Sequence, residues 1–238
     1  MSTYLLVHGA WHTGEVWDRV VPLLTDAGHR AFAPSLTGHG DRAHLLGPDV
    51  GLDTHVDDVV RLIVEQNLTD VVLVGHSYAG LVVSSVANRV PERLAHLVYL
   101  DAMVPADGET AIDVMPVVQV TIDLAARTDV PWRIPPLPEL PAPRGLFGVT
   151  DPADAAWLRT LLSDESALCF QQPVRLDNPA TSRVPRTHIH CTVGAPERRP
   201  LPPVQPNGDP VQVWELPTGH DCMITMPSDL SELLLKLA

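Results

Sequence analysis

Residues 70–80 read DVVLVGHSYAG, and LVVSSVA follows directly. Val71 to Val74 have the length and β-branched content of a buried strand, and Ser77 to Arg89 the length and apolar content of a buried helix. A chain that passes from one to the other in so few residues must turn sharply. Gly75 and Ala79, on either side of Ser77, are small enough to let strand and helix approach, and Gly80 comes one residue later. Such a turn lifts the serine hydroxyl above the end of the sheet, beside a helix N-terminus that favours negative charge. Ser77 is therefore a candidate nucleophile. The competing reading is a serine N-cap among residues kept small for packing.

The same alternation runs through the first hundred residues. Tyr4-Leu5-Leu6-Val7 predicts a short buried strand stopped by Gly9. Trp17, Val20, Val21 and Leu24 recur at helical spacing, and Gly28 stands where that helix would end. Ala31-Phe32-Ala33 predicts a second strand broken by Pro34, followed by a loop from Ser35 to Asp49. Val56, Val59, Val60 and Ile63 predict a helix with Asp53 as N-cap, and Leu97 to Leu100 predict the strand after the Ser77 helix. Buried strands alternating with helices predict an α/β fold, a mostly parallel sheet with helices on both faces.

From Met103 to Pro185 the rhythm stops. Prolines crowd Pro131 to Pro143, and Trp157, Leu158, Leu161 and Leu162 predict a helix capped at Asp151 ahead of Pro152. Strand-like segments return at His188 to Val193 and Val211 to Leu216, and Leu230, Leu233, Leu234 and Leu237 predict a closing helix. An insertion of about eighty residues exceeds a simple connection. The expected organisation is a core of residues 1–102 and 186–238, with residues 103–185 as a helical lid over the ligand-binding end of the sheet.

Composition narrows the function classes. With 45% apolar residues the chain can build a core, and its formal charge of −13, carried by scattered acids, disfavours nucleic acid and anionic membrane as partners. A small-molecule substrate is expected, bound by a monomer or homodimer. Cys169, Cys191 and Cys222 are too few and too dispersed for a disulfide framework or a zinc knuckle. No metal and no dissociable cofactor are expected. Met1-Ser2-Thr3-Tyr4 lacks a basic leader and no apolar run is long enough to span a bilayer, which predicts a cytoplasmic protein.

The segments LLVHGAWHTGEVWDRVVPLL, AGHRAFAPSLTGHG, VVLVGHSYAGLVVSSVA, LVYLDAMVP, RTHIHCT and LPTGHDCMITMPSDL together resemble the α/β-hydrolase superfamily. The likeness is to the branch of plant hydroxynitrile lyases, plant methylesterases and small bacterial esterases, and it covers nearly all of the chain outside the lid. It implies that Ser77 is the nucleophile, His220 its base, and the amides of Ala10 and Tyr78 the oxyanion hole. Trp11 and His12, after the first turn, become candidate pocket residues, although fixing the loop is the favoured role for His12. The implied activity is serine-dependent hydrolysis of a small, largely apolar carboxylic ester or related acyl compound. His8 and His76 flank glycines at strand ends and are expected to be hydrogen-bonded structural residues. Cys222, two residues beyond His220, is expected to be a small buried residue rather than half of a metal pair. Trp132 and Trp157 either line the inner face of the lid or pack within it.

The pattern fails at the acid of the triad. In this branch the strand matching THIHCT continues as C-T-x-x-D, whereas here Ala195 stands in the place of the aspartate. Asp101 and Glu197 are the candidates, and a chain without an acid is the third reading. Asp101 ranks first because its strand should neighbour that of Ser77. Glu197 would have to leave a proline-bounded loop, with Arg198-Arg199 competing for it as salt-bridge partners. A missing acid would favour a non-hydrolytic protein, either a lyase, a cyclase or a binding pocket for a biosynthetic intermediate. Hydroxynitrile lyase chemistry is disfavoured. The plant lyases carry Thr and Lys where this chain has Gly9 and Asp221, and a carboxylate would repel departing cyanide.

Overall fold

The middle strands of the central sheet are apolar on both faces because each face has its own core. The computed structural model describes residues 1–195 and 198–238. Six strands form one sheet: β1 (Thr3–Val7), β2 (Arg30–Phe32), β3 (Val71–His76), β4 (Leu94–Leu100), β7 (Arg186–Cys191) and β8 (Gln212–Leu216). Two short strands, β5 (Arg133–Ile134) and β6 (Glu165–Ser166), pair antiparallel outside it. The order across the sheet is β2-β1-β3-β4-β7-β8, and every neighbouring pair is parallel.

Side chains alternate between the two cores along β1, β3 and β4. Leu5, Val7, Leu73, Leu97 and Tyr99 pack on one face with Val56, Val59 and Ile63 of α2 (Leu52–Glu65) and Leu81, Val82 and Val86 of α3 (Ala79–Arg89). Tyr4, Leu6, Val72, Val74, Val98 and Leu100 pack on the other. There they meet Leu24 of α1 (Val21–Asp26), Met223 of α8 (Cys222–Thr225), and Leu230 and Leu234 of α9 (Pro227–Leu235). The chain between β4 and β7 carries α4 (Ala111–Val114), α5 (Val118–Ala125), α6 (Pro152–Leu161) and α7 (Ala167–Gln171), besides β5 and β6. Among the described residues no helix is long and apolar enough to cross a membrane.

Several boundaries differ from the sequence expectation, each for a local reason. The helix expected from Trp17 to Leu24 is divided into a 3₁₀ turn, Gly14–Trp17, and α1, because Pro22 has no amide hydrogen with which to continue the earlier turn. α2 is capped at Gly51 rather than Asp53; the Thr54 hydroxyl takes the Gly51 amide at 3.2 Å, and Asp53 lies within the first turn. Asp151 does cap α6, accepting from the amides of Ala153 and Asp154. The helix after the elbow starts at Ala79, since Ser77 lies in the left-handed region at φ +56°.

The approach of α3 to the sheet leaves no room at its two glycines. A β-carbon at Gly75 would sit 2.6 Å from a Val83 methyl, and one at Gly80 would overlap the Met103 carbonyl oxygen. Helix propensity favours Gly80→Ala by up to about 1 kcal/mol. Overpacking against a backbone oxygen opposes it by about 1–3 kcal/mol, and that effect should win. The substitution is expected to lower the urea midpoint, and an unchanged or raised midpoint would show that α3 and the Met103 segment can separate at no cost.

Candidate active site

The loops that leave the C-terminal ends of β1, β3, β4, β7 and β8 converge on one cavity of about 280 Å³. Open parallel sheets place ligands at this edge because the loops and the helix N-termini meet there. Ala10, Trp11, Ser77, Tyr78, Asp101 and His220 all line the cavity. The remaining wall is largely apolar and includes Met103, Met115, Val118, Phe147 and Phe170. Among the described residues six non-glycine residues have φ between +43° and +66°, and four of them, Trp11, Ser77, Asp101 and Phe147, belong to this wall. Backbone strain of this kind gathers where a structure holds reactive groups in place.

Ser77 is held from both sides. Its amide donates to the Leu100 carbonyl at 3.2 Å, and its own carbonyl accepts from the amides of Met103 and Gly80 at 3.0 and 3.1 Å. Ala10 and Tyr78 line the same cavity, and neither backbone amide has a protein acceptor among the described residues.

His220 Nδ1 lies 2.6 Å from Asp101 Oδ2. The other carboxylate oxygen accepts from the Cys191 amide at 3.2 Å and from the Arg198 guanidinium, which also reaches the Cys191 carbonyl at 2.6 Å. Burial works against the Asp101 charge, but His220 and Arg198 hold its carboxyl well below the usual carboxylate range. Burial likewise works against the imidazolium of His220, whose side chain is 28% exposed, and the Asp101 hydrogen bond and charge outweigh it, raising the pKa. Arg198 was absent from the sequence expectation as a site residue. Its partner is 97 residues away, and the sequence shows it only as a neighbour of Glu197. Glu197 itself lies outside the described residues. Ala195 lines the cavity.

The other sequence candidates lie behind this wall. His12 does not border the cavity. It is buried, with Nδ1–H donating to the Ala10 carbonyl at 2.6 Å and Nε2 at 2.9 Å from Asp221. Asp221 is wholly buried in that pair and turned from the cavity, so it does not face a leaving group there. His8 bridges the Gly9 carbonyl and the Leu36 amide, and His76 donates to the His220 carbonyl at 3.2 Å, both as expected of structural residues. Burial, reinforced by the neighbouring His220, pushes the His76 imidazole down to about 3. Trp132 and Trp157 are not among the cavity-lining residues; the Trp157 ring packs against the Arg19 guanidinium. Burial pushes the Cys222 thiol up, as does neighbouring Cys191. Two sets of donor atoms, His39–His55–Glu165 and His76–His220–Asp221, lie within metal-ligand spacing. Most of their atoms already engage protein partners, among them Glu165 for His39, Thr37 for His55 and Asp101 for His220, while His76 Nδ1 and Asp221 Oδ1 are buried without a hydrogen bond.

The alpha/beta hydrolase family model matches residues 4–233. A carbendazim hydrolyzing esterase from Nocardioides sp. (strain SG-4G) is 34% identical over 244 residues, covering 100% of both chains. Methylesterase 1 of Arabidopsis thaliana is 33% identical over 104 residues, 43% of this chain and 40% of that one. Among solved structures, an extracellular alpha/beta-hydrolase from a Paenibacillus species superposes with a TM-score of 0.80 at 24% identity, covering 100% of this chain and 99% of the other.

The pairing sets a measurable titration. An NMR titration should place the His220 imidazole above 6.5. Asp101→Asn removes the hydrogen bond and charge that raise it most, leaving burial and the Arg198 charge to lower it against the Asp221 charge, so the pKa should fall. An unchanged midpoint in the variant would mean that the Asp101 contact does not govern His220.

Proposed function

Because the chain belongs to the alpha/beta hydrolase family, we propose that it hydrolyses a small, largely apolar carboxylic ester or related acyl compound through Ser77. The observation that carries this reading is the Asp101–His220 contact beside a serine in the left-handed region, inside an apolar cavity. Asp101 holds the imidazole with Nδ1–H toward the carboxylate, which leaves Nε2 as the base. His220 takes the Ser77 proton as the hydroxyl oxygen attacks the ester carbonyl. The negative charge that forms on the carbonyl oxygen is met by the amides of Ala10 and Tyr78, each worth about 3 kcal/mol to the transition state. The imidazolium then protonates the departing alcohol, and water, activated by the same histidine, releases the acid from Ser77.

The carboxylate that the branch usually takes from the β7 loop is supplied in this reading by Asp101, at the end of β4. The gap at Ala195 therefore gives no reason to prefer non-hydrolytic chemistry. Names of relatives agree with hydrolysis: one is described as an esterase along its whole length. The size and apolar wall of the cavity support a compact apolar acyl or alkoxy group, and Arg198 keeps Asp101 ionised for the histidine.

Hydrolysis of p-nitrophenyl acetate and butyrate tests the reading. Ser77→Ala should abolish turnover, and equal activity in the two proteins would refute a serine mechanism. Asp101→Asn should lower kcat by a factor on the order of 10⁴, because the imidazole loses the partner that fixes its tautomer. In the wild type kcat/KM should rise with pH through the His220 titration, since only the neutral imidazole can take the serine proton. A flat profile between pH 5 and 9 (a range spanning about two units on either side of an ordinary histidine) would remove His220 from that role.

A further inference from the structure

The turn that follows β1 is clamped by groups that never touch the cavity. The peptide joining Ala10 to Trp11 is held at both ends: its carbonyl oxygen accepts from His12 Nδ1–H at 2.6 Å, and its amide donates to Glu165 Oε2 at 3.3 Å. Two more bonds fix Trp11, from the Ser163 amide to its carbonyl at 2.8 Å and from its indole nitrogen to the Ile134 carbonyl at 3.1 Å. Trp11 needs such restraint, because φ of +66° is costly for a residue with a bulky side chain.

Glu165 is an unusual group to find there. It and His39 are wholly buried, and a carboxylate stripped of water persists only when its oxygens are paired and hydrogen-bonded. His39 Nε2 lies 3.2 Å from Glu165 Oε2, the Ser166 amide donates to Oε1 at 3.2 Å, and His39 Nδ1 contacts the Ser163 hydroxyl at 2.9 Å. Burial opposes the charge, yet His39 and His55 hold the carboxyl down at about 2, so it is ionised at any working pH. His55, whose ring neighbours that of His39, contacts the Tyr78 hydroxyl at 3.2 Å through Nδ1 and donates to the Thr37 carbonyl at 3.0 Å through Nε2. The same buried cluster thus reaches the side chain of Tyr78, which lines the cavity.

We propose that Glu165, supported by His39, is a positioning residue for the oxyanion hole: by clamping the Ala10–Trp11 peptide it sets the direction of the Ala10 amide toward the reacting carbonyl. This rests on the oxyanion role given to Ala10 above. A carboxylate that only fastened residues 103–185 to the sheet could pair with His39 anywhere along their contact. Here it accepts from the backbone adjoining the amide donor, on the strained residue of the turn.

Two conservative variants separate reach from charge. Glu165→Gln keeps an acceptor within reach of the Trp11 amide but loses the charge, while Glu165→Asp keeps the charge and withdraws it by one methylene. With p-nitrophenyl butyrate, Glu165→Asp should lower kcat about 10- to 100-fold with KM within about two-fold, the signature of an interaction made in the transition state. It should weaken inhibition by a trifluoromethyl ketone, whose hemiketal oxyanion occupies the hole, by the same factor. Glu165→Gln should stay within a few-fold of wild type in both measurements. Thermal midpoints of both variants are measured alongside. The proposal is overturned if Glu165→Asp loses stability with kcat unchanged, if Glu165→Gln is the more impaired of the two, or if either acts on KM alone. Stoichiometric zinc in the purified wild type, lost in Glu165→Gln, would also overturn it. Failure of the esterase reading shows separately, as wild-type activity that survives Ser77→Ala.

Discussion

β3 and β4 run parallel and reach their last rung together, with His76 opposite Leu100. The next residue on each strand, Ser77 and Asp101, therefore leaves the sheet at the same height and on the same edge. The ladder continues for one more step on either side: the Ser77 amide donates to the Leu100 carbonyl and the Asp101 amide to that of Ile189 on β7. Both residues then turn into the left-handed region. Antiparallel neighbours would put consecutive strand ends on opposite edges of the sheet. The parallel register is what lets a serine and a carboxylate 24 positions later in the chain (77 to 101) share one cavity.

Placing a carboxylate at the end of β4 brings a second requirement. Asp101 is almost completely buried, and both of its oxygens need partners. One goes to His220. The other faces β7, where it meets the Cys191 amide, and the Arg198 guanidinium supplies the charge that a dehydrated carboxylate needs. The chain after Ala195 thus delivers a cation to the acid.

The strands, the elbow and the histidine loop were legible because their signals are local. Unbroken apolar runs bounded by glycine mark buried parallel strands, and small residues around Ser77 mark a tight crossing. The ranking of Asp101 over Glu197 rested on strand adjacency, and the contact with His220 agrees with it; Glu197 lies outside the described residues. The missed features are all long-range. Sequence proximity pairs Arg198 with Glu197, whereas its partner is Asp101 at the end of β4, and for His12 the sequence offers pocket lining beside the favoured loop-fixing role without showing that its ring turns inward to Asp221. Nothing in the sequence of Glu165 or His39 distinguishes a buried pair from two solvated groups, because burial there is decided by how residues 103–185 dock. Proline restarts and side-chain caps moved helix boundaries by a turn without moving any cavity residue.

The four strained residues of the wall show why those docked residues matter. A left-handed non-glycine residue costs roughly 1–3 kcal/mol, so four together rival the whole stability of an ordinary domain. They persist only because each is tied to a different part of the chain. Ser77 is tied to β4 and the Met103 segment, and Asp101 to β7. Phe147 accepts from the Asp221 amide, beside His220, and Trp11 is bound to Ile134, Ser163 and Glu165. Two of the four restraints therefore join residues 103–185 to the turns that carry Ala10 and His220. Docking of that segment and alignment of the cavity groups are one event, and a substitution at its buried polar contacts should act on the chemistry as directly as one in the cavity wall.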